Sequence, residues 1–185
     1  AFFFDSYVAG FYFFSFRLLQ LPNNLVNQSL RRVFYREANE RYSNEKGFFG
    51  IHFKSTKLLF FIGVIPFFCC LFFGQFFFSH IFGDNWAEAG RYVQWLIVWW
   101  IAMFINPPSV MTLHIMGKQR LLFITEIIFT SLRLTGIAIG GYYASPILSI
   151  TLYSIIGFIY NFIIVAIAHF ISFKYSQIIK ENSNK

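Results

Sequence analysis

Charge is what this sequence has least of. Asp, Glu, Lys and Arg together make up 12% of its 185 residues, against about a quarter in an ordinary soluble domain, and only eight of them are acids. Cysteine is nearly absent as well. Cys69 and Cys70 stand side by side in an apolar run, where neighbouring helical positions point apart, so they are read as packing residues and not as a disulfide. The four histidines, His52, His80, His114 and His169, fall near the ends of apolar runs without metal-ligand spacing, and no metal site is expected. A phosphate-cradling G-x-x-x-x-G-K-[ST] loop, paired carboxylates, a nucleophile elbow and an H-E-x-x-H pattern are all missing. Nucleotide hydrolysis and other catalysis therefore find no support, and no cofactor is expected.

What is present is apolar surface. Hydrophobic residues are 57% of the chain and aromatic ones 23%, with 28 phenylalanines, more than one soluble core of this length buries. Lipid must cover the remainder. The expected fold class is all-α, a polytopic transmembrane helical bundle. A spanning helix needs roughly 20 mostly apolar residues, and residues 58–83, 92–116, 121–143 and 146–173 meet that requirement. The second of these carries Asn106, Pro107 and Pro108 and is expected to kink, because prolines withhold backbone donors that lipid does not replace. Residues 7–35 are read as a fifth, kinked span: apolar at first, then Arg17, Pro22 and a polar run through Asn23, Asn24, Asn27 and Gln28. Residue 1 is Ala and opens directly on Phe2, Phe3 and Phe4. Residues 1–6 are accordingly read as the stub of a preceding helix and an external turn, in a chain whose N-terminal part is missing.

Loop charge sets the direction. Between residues 31 and 57 there are seven Lys or Arg against three acids, whereas the loop at 84–91 has Asp84 and Glu88 against Arg91. Lys118 and Arg120 mark the turn at 117–120, the turn at 144–145 is uncharged, and Lys174, Lys180 and Lys185 lie in the tail 174–185. Basic loops thus alternate as five crossings require, which places the loop at 36–57 and the C-terminus in the cytoplasm. The net charge of +7 follows loop parity instead of one soluble face, so it points to anionic lipid headgroups and away from nucleic acid.

Charges inside the spans are the informative positions, since one ion at a helix centre costs about 2.5–3.5 kcal/mol on insertion scales. Arg133 lies ten residues from the outer end of its span, or roughly 15 Å at the α-helical rise. Arg17 lies at a similar depth in the first span. Two guanidinium forks at one level suit phosphate or an acidic sugar in a water-filled cavity. The competing reading is that Arg133 pairs with a carboxylate or with carbonyls elsewhere. Glu126, two turns before it, is a conceivable ion or charge partner, although its nearness to Arg120 favours snorkelling to the cytoplasmic surface. Gly136 and Gly140 form a G-x-x-x-G suited to close helix packing. Pro22, Pro107 and Pro108 are candidate hinges.

The wording of several segments resembles one family. Gly10-Phe-Tyr-Phe-Phe-Ser-Phe-Arg17-Leu-Leu-Gln-Leu-Pro22-Asn-Asn-Leu, Gln28-Ser-Leu-Arg-Arg-Val-Phe34 and Arg36-Glu-Ala38 resemble the eighth helix of polysaccharide biosynthesis flippases. These are the O-antigen repeat-unit transporters of the multidrug/oligosaccharidyl-lipid/polysaccharide (MOP) superfamily. The likeness continues through Ile81-Phe-Gly-Asp-Asn-Trp86, Glu88-Ala-Gly-Arg-Tyr92, Met116-Gly-Lys-Gln-Arg120 and Leu132-Arg133. It implies the C-terminal part of a twelve-helix, two-lobed transporter in the bacterial cytoplasmic (inner) membrane. Such a protein moves a polyprenyl-pyrophosphate-linked oligosaccharide by alternating access, with Arg17 and Arg133 on cationic cavity positions and an N-terminal half as partner. The doubled Pro107-Pro108 departs from the pattern. Two other classes compete: a membrane polysaccharide polymerase or ligase, which would need a large external loop that the sequence lacks, and a cation-coupled drug exporter, which would need a deep acid.

Overall fold

A computed structural model of the chain describes residues 4–183, the side chains of residues 29 and 183 excepted. Residues 1–3, most of the expected stub, and the last two residues of the tail lie outside it. The described residues form helices and turns without a strand: α1 Ser6–Ser43, α2 Phe49–Phe82, α3 Ala87–Ile105, α4 Pro107–Ile115, α5 Gln119–Tyr142 and α6 Pro146–Ser183, with a 3₁₀ turn at Asp84–Trp86.

Local chemistry explains the helix ends. Asp5 caps α1 by accepting a hydrogen bond from the Val8 backbone N–H at 2.9 Å. Gly83 ends α2 in the left-handed region at φ 95°, a conformation that side chains resist. Pro146 opens α6, where a missing N–H is harmless.

The helices run past the boundaries that charge suggests. Of the basic loop expected at 36–57, only residues 44–48 separate α1 from α2. Arg, Glu, Ala and Lys leave lipid but are strong helix formers, so charge ends the apolar run and not the helix. In the same way the expected tail 174–185 continues α6 to Ser183, and the loop expected at 84–91 is a 3₁₀ turn followed directly by α3. The assignment of α1 passes through Pro22 without a break, while the expected kinked span at 92–116 divides into α3 and α4 at Asn106.

α3 is the centre of the bundle, with α1, α2 and α6 packed around it. Tyr92, Leu96, Ile97, Trp100 and Phe104 are almost fully buried there. Glycines on its neighbours let it approach. Gly74 of α2 meets Gly90 of α3 backbone to backbone, Gly63 receives Ile101 and Phe104, and Gly157 of α6 receives the Trp99 indole. By contrast α2 buries little beyond His52, Leu59, Gly63, Gly74 and Phe78, and its exposed phenylalanines form a lipid-facing surface.

Four segments are long and apolar enough to cross a membrane: Phe49–Phe82, Asp84–Ile115, Gln119–Tyr142 and Pro146–Asn182. α1, the fifth crossing of the sequence reading, is not among them although it has 38 residues, because Arg17 and the Asn-rich run lower its hydropathy. It nevertheless runs the height of the bundle. Phe11 packs on Trp86 with ring centroids 5.3 Å apart, the Trp100 indole N–H donates to the Leu19 carbonyl at 2.6 Å, and Phe34 lies 6.3 Å from the His52 ring.

Candidate functional site

α5 packs along α6 through its small residues. A Cβ on Gly136 would come within 3.1 Å of Leu152 Cβ, and one on Gly140 would collide with Ser149, so both glycines are seats for α6. This close approach places Arg133 of α5 beside two tyrosines of α6. Its guanidinium carbon is 5.8 Å from the Tyr153 ring centroid and 5.6 Å from that of Tyr160, cation–π distances.

Arg133 does not stand alone. Its Nη2 donates to Glu126 Oε1 at 2.6 Å and to Thr130 Oγ1 at 3.2 Å, its Nε donates to the Phe129 carbonyl at 3.3 Å, and Thr130 Oγ1 donates to Glu126 Oε1 at 3.1 Å. Glu126, for which snorkelling to the cytoplasmic surface was the favoured expectation, is instead paired with Arg133. The Arg133 side chain is 12% exposed and that of Glu126 is 50%, so one ion is held in the protein and the other opens outward. A half-exposed carboxylate is costly in hydrocarbon even when paired. Water or another polar surface against the face of α5 that carries Glu126 and Thr130 would remove that cost.

Arg17 is placed differently. It is exposed on α1, with its guanidinium carbon 5.5 Å from the Phe13 ring centroid, and among the described residues it makes no hydrogen bond. No contact joins it to Arg133 among those residues. Its chain neighbour Phe16 stacks on Trp99 at 5.5 Å, and Trp99 meets Tyr153, a ring partner of Arg133, edge-on at 5.6 Å. An apolar cavity of about 160 Å³ lies nearby, lined by Val8, Tyr12, Ile137, Ile150 and Tyr153 among others. Neither arginine lines it.

Among the candidate hinges, Pro22 is exposed on an unbroken helix, whereas Pro107 and Pro108 are buried at the α3–α4 junction. Two polar clusters had no signal in sequence spacing. His52, fully buried, has Nδ1 3.0 Å from Ser172 Oγ and Nε2 3.2 Å from Ser109 Oγ, which ties α2 to α6 and α4. Both ring nitrogens are thereby engaged, so neither is presented to a metal. Asn106 Nδ2 donates to Asn161 Oδ1 at 2.7 Å across α6. These partners lie 57, 120 and 55 positions apart in the chain, beyond any local pattern.

The arrangement defines a helical protein of multi-pass membrane type, with an ion pair on one of its apolar helices. No protein-family model, characterised protein or solved structure matches the chain.

Proposed function

We propose that the chain is the C-terminal part of an alternating-access flippase for lipid-linked oligosaccharides in the bacterial inner membrane, with Arg17 and Arg133 as its anion-binding groups. The observation that carries this reading is the half-exposed Glu126 paired with the sheltered Arg133 within the apolar helix α5. A polar face on such a helix is consistent with a water-filled cavity, and a transporter is a class of protein that needs one.

The pair also supplies a mechanism for binding. A pyrophosphate is a stronger partner for a guanidinium than one carboxylate, because it offers more acceptor oxygens in bidentate geometry. An arriving lipid-linked glycan would exchange with Glu126 at Arg133, and departure would restore the internal pair. Arg17, its donors unengaged, would take the phosphate first. α1, running beside α3 for the height of the bundle, serves as the fifth crossing, and the resemblance of its sequence to the eighth helix of the flippases supports the same role.

Depletion of the protein in its host, followed by labelling of the lipid-linked glycan with an impermeant reagent, tests the proposal. Glycan accumulates on the cytoplasmic leaflet, and wild-type protein relieves the block while Arg133→Gln does not. Normal arrival at the outer leaflet, with unpolymerised units collecting there, would remove the flippase reading in favour of a polymerase.

A further inference from the structure

We propose that the break between α3 and α4 is a binding site for an alkali cation of the sodium type, held by the Asn106 side-chain oxygen and the main-chain carbonyls before it. The proposal stands apart from the transport reading. Pro107 and Pro108 have no N–H, so the carbonyls of Met103 and Phe104 lack the donors that a continuous helix would send back to them. The Ser109 N–H donates to the Asn106 carbonyl at 2.8 Å, which takes the usual partner of the Ile105 carbonyl as well. Three consecutive carbonyls at the end of α3 are thus left open, at the negative end of that helix.

The side chain of Asn106 adds a fourth oxygen. Its orientation is set by a chain of donors: Asn161 Nδ2 donates to the Gly157 carbonyl at 2.7 Å, which turns Asn161 Oδ1 toward Asn106 Nδ2, also at 2.7 Å. Asn106 Oδ1 is the atom left over, buried and without a hydrogen-bond partner. Asn106 is 5% exposed and Phe104 1%, and Met103 and Ile105 are partly buried, so access of bulk water to these groups is restricted.

All four groups are acceptors. A water molecule donates only two hydrogen bonds, whereas a hard cation satisfies four or more oxygens at once. With no carboxylate among them, the set matches a single positive charge and leaves a divalent ion uncompensated. The guanidinium over Tyr160, one residue before Asn161, is matched by Glu126, so it sets no net positive charge against a bound cation.

The test is the thermal stability of the purified protein in sodium, lithium, potassium or choline chloride at equal ionic strength. Expected is an alkali-specific rise in Tm over choline, growing by about 3–5 °C for each tenfold increase above the dissociation constant. Asn106→Ala abolishes the rise. Should that variant not fold, Asn106→Asp moves the rise to lower cation concentration, because it adds a charge to the same ligand. Equal Tm in all four salts, a rise that survives Asn106→Ala, or an Asn106→Asp variant with unchanged concentration dependence would each overturn the proposal.

Discussion

Side chains on a helix lean toward its N-terminus, which carries the Arg133 guanidinium back along α5 toward Glu126, while Tyr153 and Tyr160 of α6 close the other directions. Glu126→Gln keeps the shape but strands Arg133 inside the bundle. The expected loss is about 1–2 kcal/mol, below the insertion figure because the Glu126 side chain is half exposed. Glu126→Gln combined with Arg133→Gln recovers much of that loss, since no uncompensated charge remains. Denaturation of the two single variants and the double variant measures the coupling, and additive losses would show that the pair contributes nothing. The seven-residue spacing made this pair conceivable in sequence, where snorkelling of Glu126 to the cytoplasmic surface was the favoured reading. The tyrosine wall on α6 that stands beside Arg133 is something no spacing on α5 encodes. His52 was less legible still, because Ser109 and Ser172 reach it from two other helices and an isolated histidine near a span end carries no mark of either.

At the scale of the helices, packing turns on where Cβ atoms are forbidden. A methyl group on Gly90 would press on the Gly74 carbonyl and the Gln75 backbone, whereas one on Gly10 of α1 meets nothing within 4 Å. Gly90→Ala therefore forces α2 and α3 apart and costs about 1–3 kcal/mol as an overpacked core does. Gly10→Ala stabilises by about 0.5–1 kcal/mol through helix propensity alone. Opposite signs in Tm for two chemically identical substitutions check this, and equal effects would mean that α2 and α3 do not meet backbone to backbone at Gly74 and Gly90. The existence of these helices was readable from charge-free runs, but their lengths were not. Hydropathy reports where lipid ends, while helix propensity and capping report where the helix ends, and in α1 and α6 the two differ by eight to ten residues. The central place of α3 was equally hidden, because α2 is more apolar and yet lies outside; what selects α3 is the set of glycines on its neighbours.

For the whole molecule, the ends of the helices sort into two groups. Tyr42 and Tyr175 lie 5.1 Å apart, the Phe49 N–H donates to Ser176 Oγ at 3.1 Å, and Met116 packs in the same cluster as Phe48. The 44–48 turn, the α4–α5 turn and the far end of α6 thus share one end of the bundle. At the other end Phe11 meets Trp86, and one cavity joins Val8 to Pro146. The basic residues of the turns gather at the first end, as the positive-inside rule requires for a cytoplasmic face, although among the described residues four segments and not five reach spanning hydropathy. Single cysteines settle both points when Cys69 and Cys70 are first replaced by Ala. Asn44, Asn85 and Lys118 are exposed, so each accepts Cys without disturbing the core. With an impermeant maleimide on intact cells, Asn85→Cys is labelled at once, while Asn44→Cys and Lys118→Cys react only after permeabilisation. The reverse pattern would invert the orientation. Asp5→Cys then decides α1: labelling from outside makes it the fifth crossing, because Asn44 at its far end is shielded, whereas shielding of both ends would return α1 to the cytoplasmic side and remove Arg17 from any cavity at the depth of Arg133.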